Sequence, residues 1–343
     1  MKKILITGGA GFIGSNYAHF VSRVHPEYQI VVLDKLTYAG NLDNIKTLIE
    51  EEKIKFIEGD IANSSFVAKL FTQEKFDYVV NFAAETHVDR SILDPGVFVD
   101  TNIVGTQNLL LASKDNEVER YHQISTDEVY GDLGDTIGTF FTENTALDPN
   151  PPYAAAKASA DLLVLSYQRT FGLNATISRC SNNYGPFQFP EKLIPFFFSL
   201  ASEGKKLPVY GDGLNVRDWI YVEDHCEAVD LILHSEHPGE VFNIGSNNEK
   251  TNLEVAEEIL KFCGQDENLI TFVEDRKAHD RKYAIDPSKM LKTFNWKAKV
   301  DFKTGIEKTF TWYKNNQEWV KNIQGKVLIA DSDTNRQATS LDN

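Results

Sequence analysis

The chain has 343 residues, 42% of them hydrophobic and 25% charged, a globular composition that excludes disordered and fibrous classes. Its 50 acidic against 35 basic residues leave a net charge of −15, which disfavours nucleic-acid backbones and anionic lipid surfaces as partners. No apolar run approaches the ~18 residues of a membrane span, and the run after Lys2-Lys3 stops at Gly8, so the expected compartment is the cytoplasm.

From the N-terminus, Lys3–Thr7, Gln29–Leu33, Ile54–Glu58, Tyr78–Phe82 and Tyr121–Ser125 are short β-branched runs that read as strands. Ser15–Val24, Leu42–Glu51, Ser65–Thr72 and Val97–Lys114 read as the helices between them. This alternation predicts βαβ units and a doubly wound parallel sheet, a Rossmann-type α/β lobe over residues 1–180. Beyond it the punctuation at Gly185-Pro186, Phe189-Pro190, Gly204, Gly211 and Gly213 predicts a smaller α+β lobe over residues 181–323. Val241–Ile244 reads as a buried strand, so the second lobe is expected to interleave with the first, segments near 218–245 returning to it. Residues 324–343 form a polar tail without periodicity, and no role is assigned to it.

Cys180, Cys226 and Cys263 are widely spaced, which suits reduced thiols and excludes a Cys-x-x-Cys knuckle. The histidines form no His-x-x-x-His pair and no Gly-x-Ser-x-Gly elbow occurs, so neither a metal site nor a serine hydrolase is expected.

Gly8-Gly-Ala-Gly-Phe-Ile-Gly14 follows the first strand and opens the first helix. There glycines let backbone N–H groups meet a pyrophosphate at a helix N-terminus. Asp34 closes the second strand, where a carboxylate accepts from ribose hydroxyls and repels a 2′-phosphate; NAD is therefore favoured over NADP, although Lys35 weakens the exclusion. Asp60, after the third strand, reads equally well as an adenine wall or an ordinary turn residue. Tyr153 and Lys157 lie one helical turn apart on one face, so the ammonium is expected to lower the tyrosine pKa and make it a base. The spacing alone is cheap, and its weight comes from following a dinucleotide lobe. Thr126-Asp127-Glu128 sits past the strand ending at Ser125, on the edge where open α/β sheets bind ligands. Adjacent strand residues point to opposite faces, so the two carboxylates are expected to reach different substrate atoms, as a dehydration requires.

Over nearly its whole length the chain resembles the dTDP-glucose 4,6-dehydratases. The resemblance rests on the glycine motif, Asp34-Lys-Leu-Thr-Tyr-Ala-Gly-Asn41, Ala83-Ala-Glu-Thr-His-Val-Asp-Arg-Ser91, Ser125-Thr-Asp-Glu-Val-Tyr-Gly131 and Tyr153-x-x-x-Lys157. Ser178-Arg-Cys-Ser-Asn-Asn-Tyr-Gly-Pro186, Pro190-Glu-Lys-Leu-Ile-Pro195, Pro208-Val-Tyr-Gly-Asp-Gly213 and Asn215-Val-Arg-Asp-Trp219 extend it. Thr126-Asp127-Glu128 separates dehydratases from the related 4-epimerases.

The resemblance implies oxidation of dTDP-glucose at C4 by Tyr153 and NAD, loss of water across C5 and C6 with Glu128 as base and Asp127 as acid, and hydride return to C6. Thr126 would bond the C4 oxygen, and Lys157 the nicotinamide ribose. Cofactor contacts implied are Gly8, Gly11, Phe12, Ile13, Gly14, Asp34, Lys35, Leu36, Thr37, Asp60, Ile61, Phe82, Ala83, Ala84, Thr86, Thr101, Tyr153, Lys157 and Asn183. Substrate contacts implied are Thr86, Thr126, Asn182, Lys192, Leu193, Pro208, Val209, Tyr210, Arg217, Asn252, Asp275, Arg276 and His279, with Arg217 and Arg276 facing the diphosphate. A homodimer joined through helices including the one bearing Tyr153 is also implied. The chain departs from the family at Arg276-Lys-Ala-His-Asp280, where Pro-Gly is common after the arginine, in the Ala154-Ala155-Ala156 run, and at Thr86. Competing readings are a dehydratase of another nucleotide-sugar, a nucleotide-sugar 4-epimerase and, more remotely, a non-catalytic NAD-binding protein.

Overall fold

The computed structural model describes residues 1–275 and 279–323. Its strands in chain order are β1 (Lys3–Thr7), β2 (Gln29–Asp34), β3 (Ile54–Glu58), β4 (Tyr78–Asn81), β5 (Arg120–Thr126) and β6 (Ala175–Cys180). There follow β7 (Asn182–Tyr184), β8 (Leu207–Tyr210), β9 (Val216–Tyr221), β10 (Val241–Ile244), β11 (Glu249–Thr251) and β12 (Ile270–Val273).

Seven of these make one parallel sheet in the order β10-β6-β5-β4-β1-β2-β3, the doubly wound arrangement expected. Strand residues alternate between its faces: Ile4, Ile6, Ile30 and Val32 enter one core, Leu5, Val31, Leu33 and Val79 the other. The order reverses between β1 and β4, and that crevice at the carboxyl ends of the strands is where such sheets bind ligands. A buried polar ladder ties these strands: Thr7 Oγ1 donates to Asn81 Oδ1 at 2.6 Å, and Asn81 Nδ2 to Gln123 Oε1 at 3.0 Å.

Three helices differ from expectation. The segment Leu42–Glu51 is a 3₁₀ turn, Leu42–Asn44, followed by a short helix, Lys46–Glu50. Tertiary bonds break it: Asn41 accepts from the Asp43 amide, and the buried Asn44 side chain donates to the Ala10 carbonyl at 2.9 Å. Around Val97–Lys114 the helical run spans Pro95 to Asp115, with a π-helical turn at Val99–Gly105. That turn carries Asn102, whose side chain bonds both the amide and the carbonyl of Glu85. The first helix starts at Phe12 rather than Ser15, with Gly11 as its N-cap.

The remaining strands form a three-stranded sheet, β11-β9-β7, and a β8/β12 pair. They enclose a separate aromatic core that includes Trp219 and a stacked pair, Phe198 and Phe310, with ring centroids 4.0 Å apart. The return expected near 218–245 begins at Val222, because β9 belongs to the small sheet. Helix Val222–Leu233 packs Cys226, Val229 and Ile232 into the core that holds Val21 of the first helix, and β10 pairs with β6. Met290 on helix Ser288–Phe294 joins the same core. The tail at 324–343 lies outside the described residues.

Candidate active site

The cofactor side begins where β1 ends. Gly8 takes φ +66°, and a Cβ there would stand 2.6 Å from the Ala83 amide; one on Gly14 would stand 2.3 Å from the Gly8 carbonyl. Only glycine permits this cradle, which leaves Gly11, Phe12 and Ile13 at the N-terminus of the first helix. Asp34 closes the cradle from β2: its carboxylate accepts from the Ala10 amide at 2.9 Å and the Leu36 amide at 2.8 Å. Burial raises its pKa, and these amides oppose the rise. Leu36 adopts φ +55°, and Thr37 accepts from the Gly40 amide. Lys35 is paired with Asp60 at 2.6 Å, so the base beside Asp34 is partly neutralised by the second acidic residue. Ile61 is buried beneath Gly105. Phe82 and Ala83 leave β4 with their amides on the Thr7 carbonyl and hydroxyl, and Asn102 fixes Glu85 between Ala84 and Thr86. Thr101 precedes Asn102 in the π turn.

The proposed catalytic residues meet at the ends of β5 and β6. Thr126 ends β5 opposite Cys180 of β6, and the chain then turns into a 3₁₀ helix, Asp127–Tyr130. This turn resolves the strand geometry, since residues that would point to opposite faces now share one wall. Thr126 Oγ1 donates to Asp127 Oδ1 at 3.2 Å and accepts from the Glu128 amide at 3.3 Å. Tyr153 and Lys157 face them from helix Pro152–Phe171. Lys157 Nζ donates to the Ile124 carbonyl at 2.7 Å, and Thr126 is a hydrogen-bond partner of Tyr153.

The electrostatics divide these groups. Asp127 is 1% exposed, and burial followed by the fields of Glu128 and Asp218 raises its pKa well above the carboxylate range, against Arg217. This favours its protonated form relative to an exposed carboxyl. The Tyr153 pKa also stands well above its ordinary value, through burial first and then Glu128, Cys180 and Asp127. This corrects the expectation that Lys157 lowers it. The Lys157 ammonium is itself lowered by burial and supported chiefly by Asp161.

Asp161 was not among the expected residues. It lies one turn beyond Lys157, fully buried, and receives Arg179 Nε at 2.9 Å; Arg179 Nη1 donates to Tyr130 Oη, which donates to Asn243 Oδ1 at 2.7 Å. The spacing from Lys157 was readable in sequence, whereas Arg179 and Asn243 arrive only through the β5-β6-β10 pairing. Asn183 is held by buried His225, whose Nδ1 lies 2.8 Å from Asn183 Oδ1; the Asn183 amide donates to the Ser181 carbonyl and toward Cys180.

The substrate-side residues spread over the small sheets. Asn182 opens β7, Pro208, Val209 and Tyr210 lie in β8, and Asn252 opens helix Asn252–Cys263. Lys192 is the N-cap of the helix that starts at Leu193. Asp275 bonds His279 at 2.6 Å, and the His279 ring meets Tyr210 edge-on at 6.3 Å. Arg217 is buried, stacks on Tyr283 at 4.2 Å and donates to the carbonyls of Val216 and Asp280 at 2.8 and 2.9 Å. It thereby ties the stretch after His279 to β9, a positioning role that the expected diphosphate contact did not include. Arg276, Lys277 and Ala278 lie outside the described residues. A further tie links the two regions: Tyr38 donates to Glu191 at 3.1 Å beneath the Arg90 guanidinium, 3.8 Å from the ring.

Residues 5–309 match the family described as GDP-mannose 4,6 dehydratase. A dTDP-glucose 4,6-dehydratase of Actinoplanes is 47% identical over 92% of this chain and 99% of its own length. The solved dTDP-glucose 4,6-dehydratase of Bacillus anthracis, in complex with NAD, superposes with a TM-score of 0.87 at 47% identity, covering 94% of this chain and 100% of its own. That of Streptomyces venezuelae, also with NAD bound, gives 0.88 at 42% identity, covering 92% and 98%.

Proposed function

Because the chain belongs to the dTDP-glucose 4,6-dehydratase family, we propose that it converts dTDP-glucose into dTDP-4-dehydro-6-deoxyglucose and leaves its NAD unchanged overall. The observation that carries the reading is the pair of neighbouring carboxyl groups, Asp127 buried with its proton affinity raised and Glu128 next to it in the same turn, beside Tyr153 and Lys157. An epimerase has no use for a general acid at this place, whereas elimination of water needs one.

The residues present fit NAD: the Gly8 and Gly14 cradle admits a pyrophosphate, and Asp34 keeps carboxylate lone pairs for ribose hydroxyls. When bound, NAD accepts the C4 hydride and later returns it to C6. Tyr153 takes the C4 hydroxyl proton, with Lys157 holding positive charge behind it and Thr126 bonding the same oxygen. The resulting ketone acidifies C5, Glu128 removes the C5 proton, and Asp127 delivers its proton to the C6 hydroxyl, which departs as water. Glu128 would return its proton to C5 as C6 regains the hydride, and the proton that Tyr153 took from C4 makes good the one that Asp127 lost to water. Arg217, Asp275 and His279 shape the nucleotide end, and anchoring there orients the sugar.

We read the assembly as a homodimer. Val97, Val104 and Leu111 are exposed, as is Leu162 on the helix bearing Tyr153, apolar surface that a second copy would cover. No helix among the described residues is long and apolar enough to cross a membrane, and the three cysteines are free, which suits the reducing cytoplasm.

The test is to supply dTDP-glucose, UDP-glucose and CDP-glucose separately, without reductant, and follow their masses. Loss of one water from dTDP-glucose with no net NADH is the expected result. Water loss only from another nucleotide-sugar moves the substrate, and interconversion of glucose and galactose forms without mass change would sink the dehydratase reading.

A further inference from the structure

A second constellation lies at the opposite edge of the main sheet, where the first helix and helix Val222–Leu233 both end. His25 is the C-cap of the former, and Asp230 and His234 stand in the last turn and C-cap of the latter. His25 Nε2 lies 3.0 Å from both oxygens of Asp230, His234 Nδ1 lies 3.4 Å from Asp230 Oδ1, and ligand atoms of all three fall within 4.8 Å of one another. No spacing rule reveals this group, because 205 residues separate His25 from Asp230.

We propose that His25, Asp230 and His234 form a non-catalytic site for a divalent transition metal that staples these two helix ends. Two imidazoles and one carboxylate suit zinc, cobalt or nickel, whereas magnesium and calcium prefer all-oxygen sets. The surroundings supply a hydrogen-bond partner for the second nitrogen of His234 and an acidic group near that of His25. His234 Nε2 lies 2.9 Å from Tyr28 Oη, and His25 Nδ1 lies 3.7 Å from Glu27 Oε1. The His25 ring stacks on Tyr28 at 4.7 Å and meets the His234 ring at 4.8 Å, contacts that set its orientation before any ion arrives. Binding replaces two existing bonds, that of His25 to the Asp230 carboxylate and that of His234 Nδ1 to the Asp230 carbonyl at 2.8 Å. It also places a cation near Arg120, which donates to the Ser235 carbonyl. Three ligands under these costs imply micromolar rather than tighter affinity, with water completing the coordination. Thr126, Asp127 and Glu128 follow the carboxyl end of β5, whereas His25 precedes the amino end of β2, so activity should be indifferent to the ion.

The experiment uses full-length, tag-free protein stripped with EDTA and desalted. Cobalt titration should give a visible absorption band saturating at one equivalent, and zinc at tens of micromolar should raise Tm while magnesium does not. His234→Ala and His25→Ala should each weaken zinc and cobalt binding at least tenfold and abolish the zinc-dependent rise in Tm, with kcat unchanged. The rise is measured within each variant, so a lower starting Tm does not obscure it. Absence of any zinc effect in the parent protein, or affinity unchanged in both variants, overturns the proposal and leaves these residues a hydrogen-bonded helix tie.

Discussion

The cofactor end and the nucleotide end of the site are built by opposite means. At the glycine turn backbone meets backbone: a Cβ on Gly14 would lie 2.3 Å from the Gly8 carbonyl, and one on Gly8 would lie 2.6 Å from the Ala83 amide. Around Gly211 the added atom would meet a side-chain oxygen of Asp275 at 2.8 Å. A carboxylate can swing away, whereas a sheet-anchored backbone cannot. The first arrangement suits a cofactor that stays through many turnovers, the second a substrate that enters and leaves.

Four substitutions sharpen or break this contrast. Tyr153→Phe should lower kcat by about 10²–10⁴ while Tm and NAD content hold, as seen by mass assay and by the NAD absorbance of the purified protein. Asp161→Asn strips the counter-charge from both Lys157 and Arg179 and should lower unfolding free energy by about 3–5 kcal/mol in denaturant titration. A loss below about 1 kcal/mol would show that the buried pair is not what holds this wall. Gly14→Ala should yield protein without NAD, whereas Gly211→Ala should raise KM and cost about 1–2 kcal/mol, its φ of +58° being the main penalty. If the two variants behave alike, the proposed contrast fails.

The smallest effect has an informative sign. Asp127 has a folded pKa above its unfolded value, so the native state binds that proton more tightly and stability falls as pH climbs from the unfolded value through the folded one. Asp127→Asn escapes this loss. Its Tm should exceed the parent's by roughly 2–4 °C at neutral pH and match it in acid, below the unfolded carboxyl pKa, while water elimination is lost. A variant less stable than the parent at neutral pH would mean that folding does not raise the Asp127 pKa.

Much of the cofactor side was legible in residue order. The run Gly8 to Gly14, the acid at Asp34 and the pair Tyr153 and Lys157 are local patterns on elements whose periodicity is strong, and the fold places each at the carboxyl edge of the sheet. The local rule failed where a long-range group intervened. Asn44 bonding Ala10 split one expected helix, and Asn102 bonding Glu85 accompanies a π turn in another. Tyr153 was expected to be acidified by its neighbour, yet burial beside Glu128 and Asp127 decides its proton affinity.

Sequence alone thus determined five strands of the first lobe, the return of Val241–Ile244 and the glycine turn, because each depends on residues within a few positions of one another. Tertiary structure decided which carboxyl is buried and has its proton affinity raised, what supports Lys157, where Arg217 directs its donors, and that His25 meets Asp230 and His234. Those properties arise from desolvation and from charges brought together across hundreds of residues, and no local pattern encodes either.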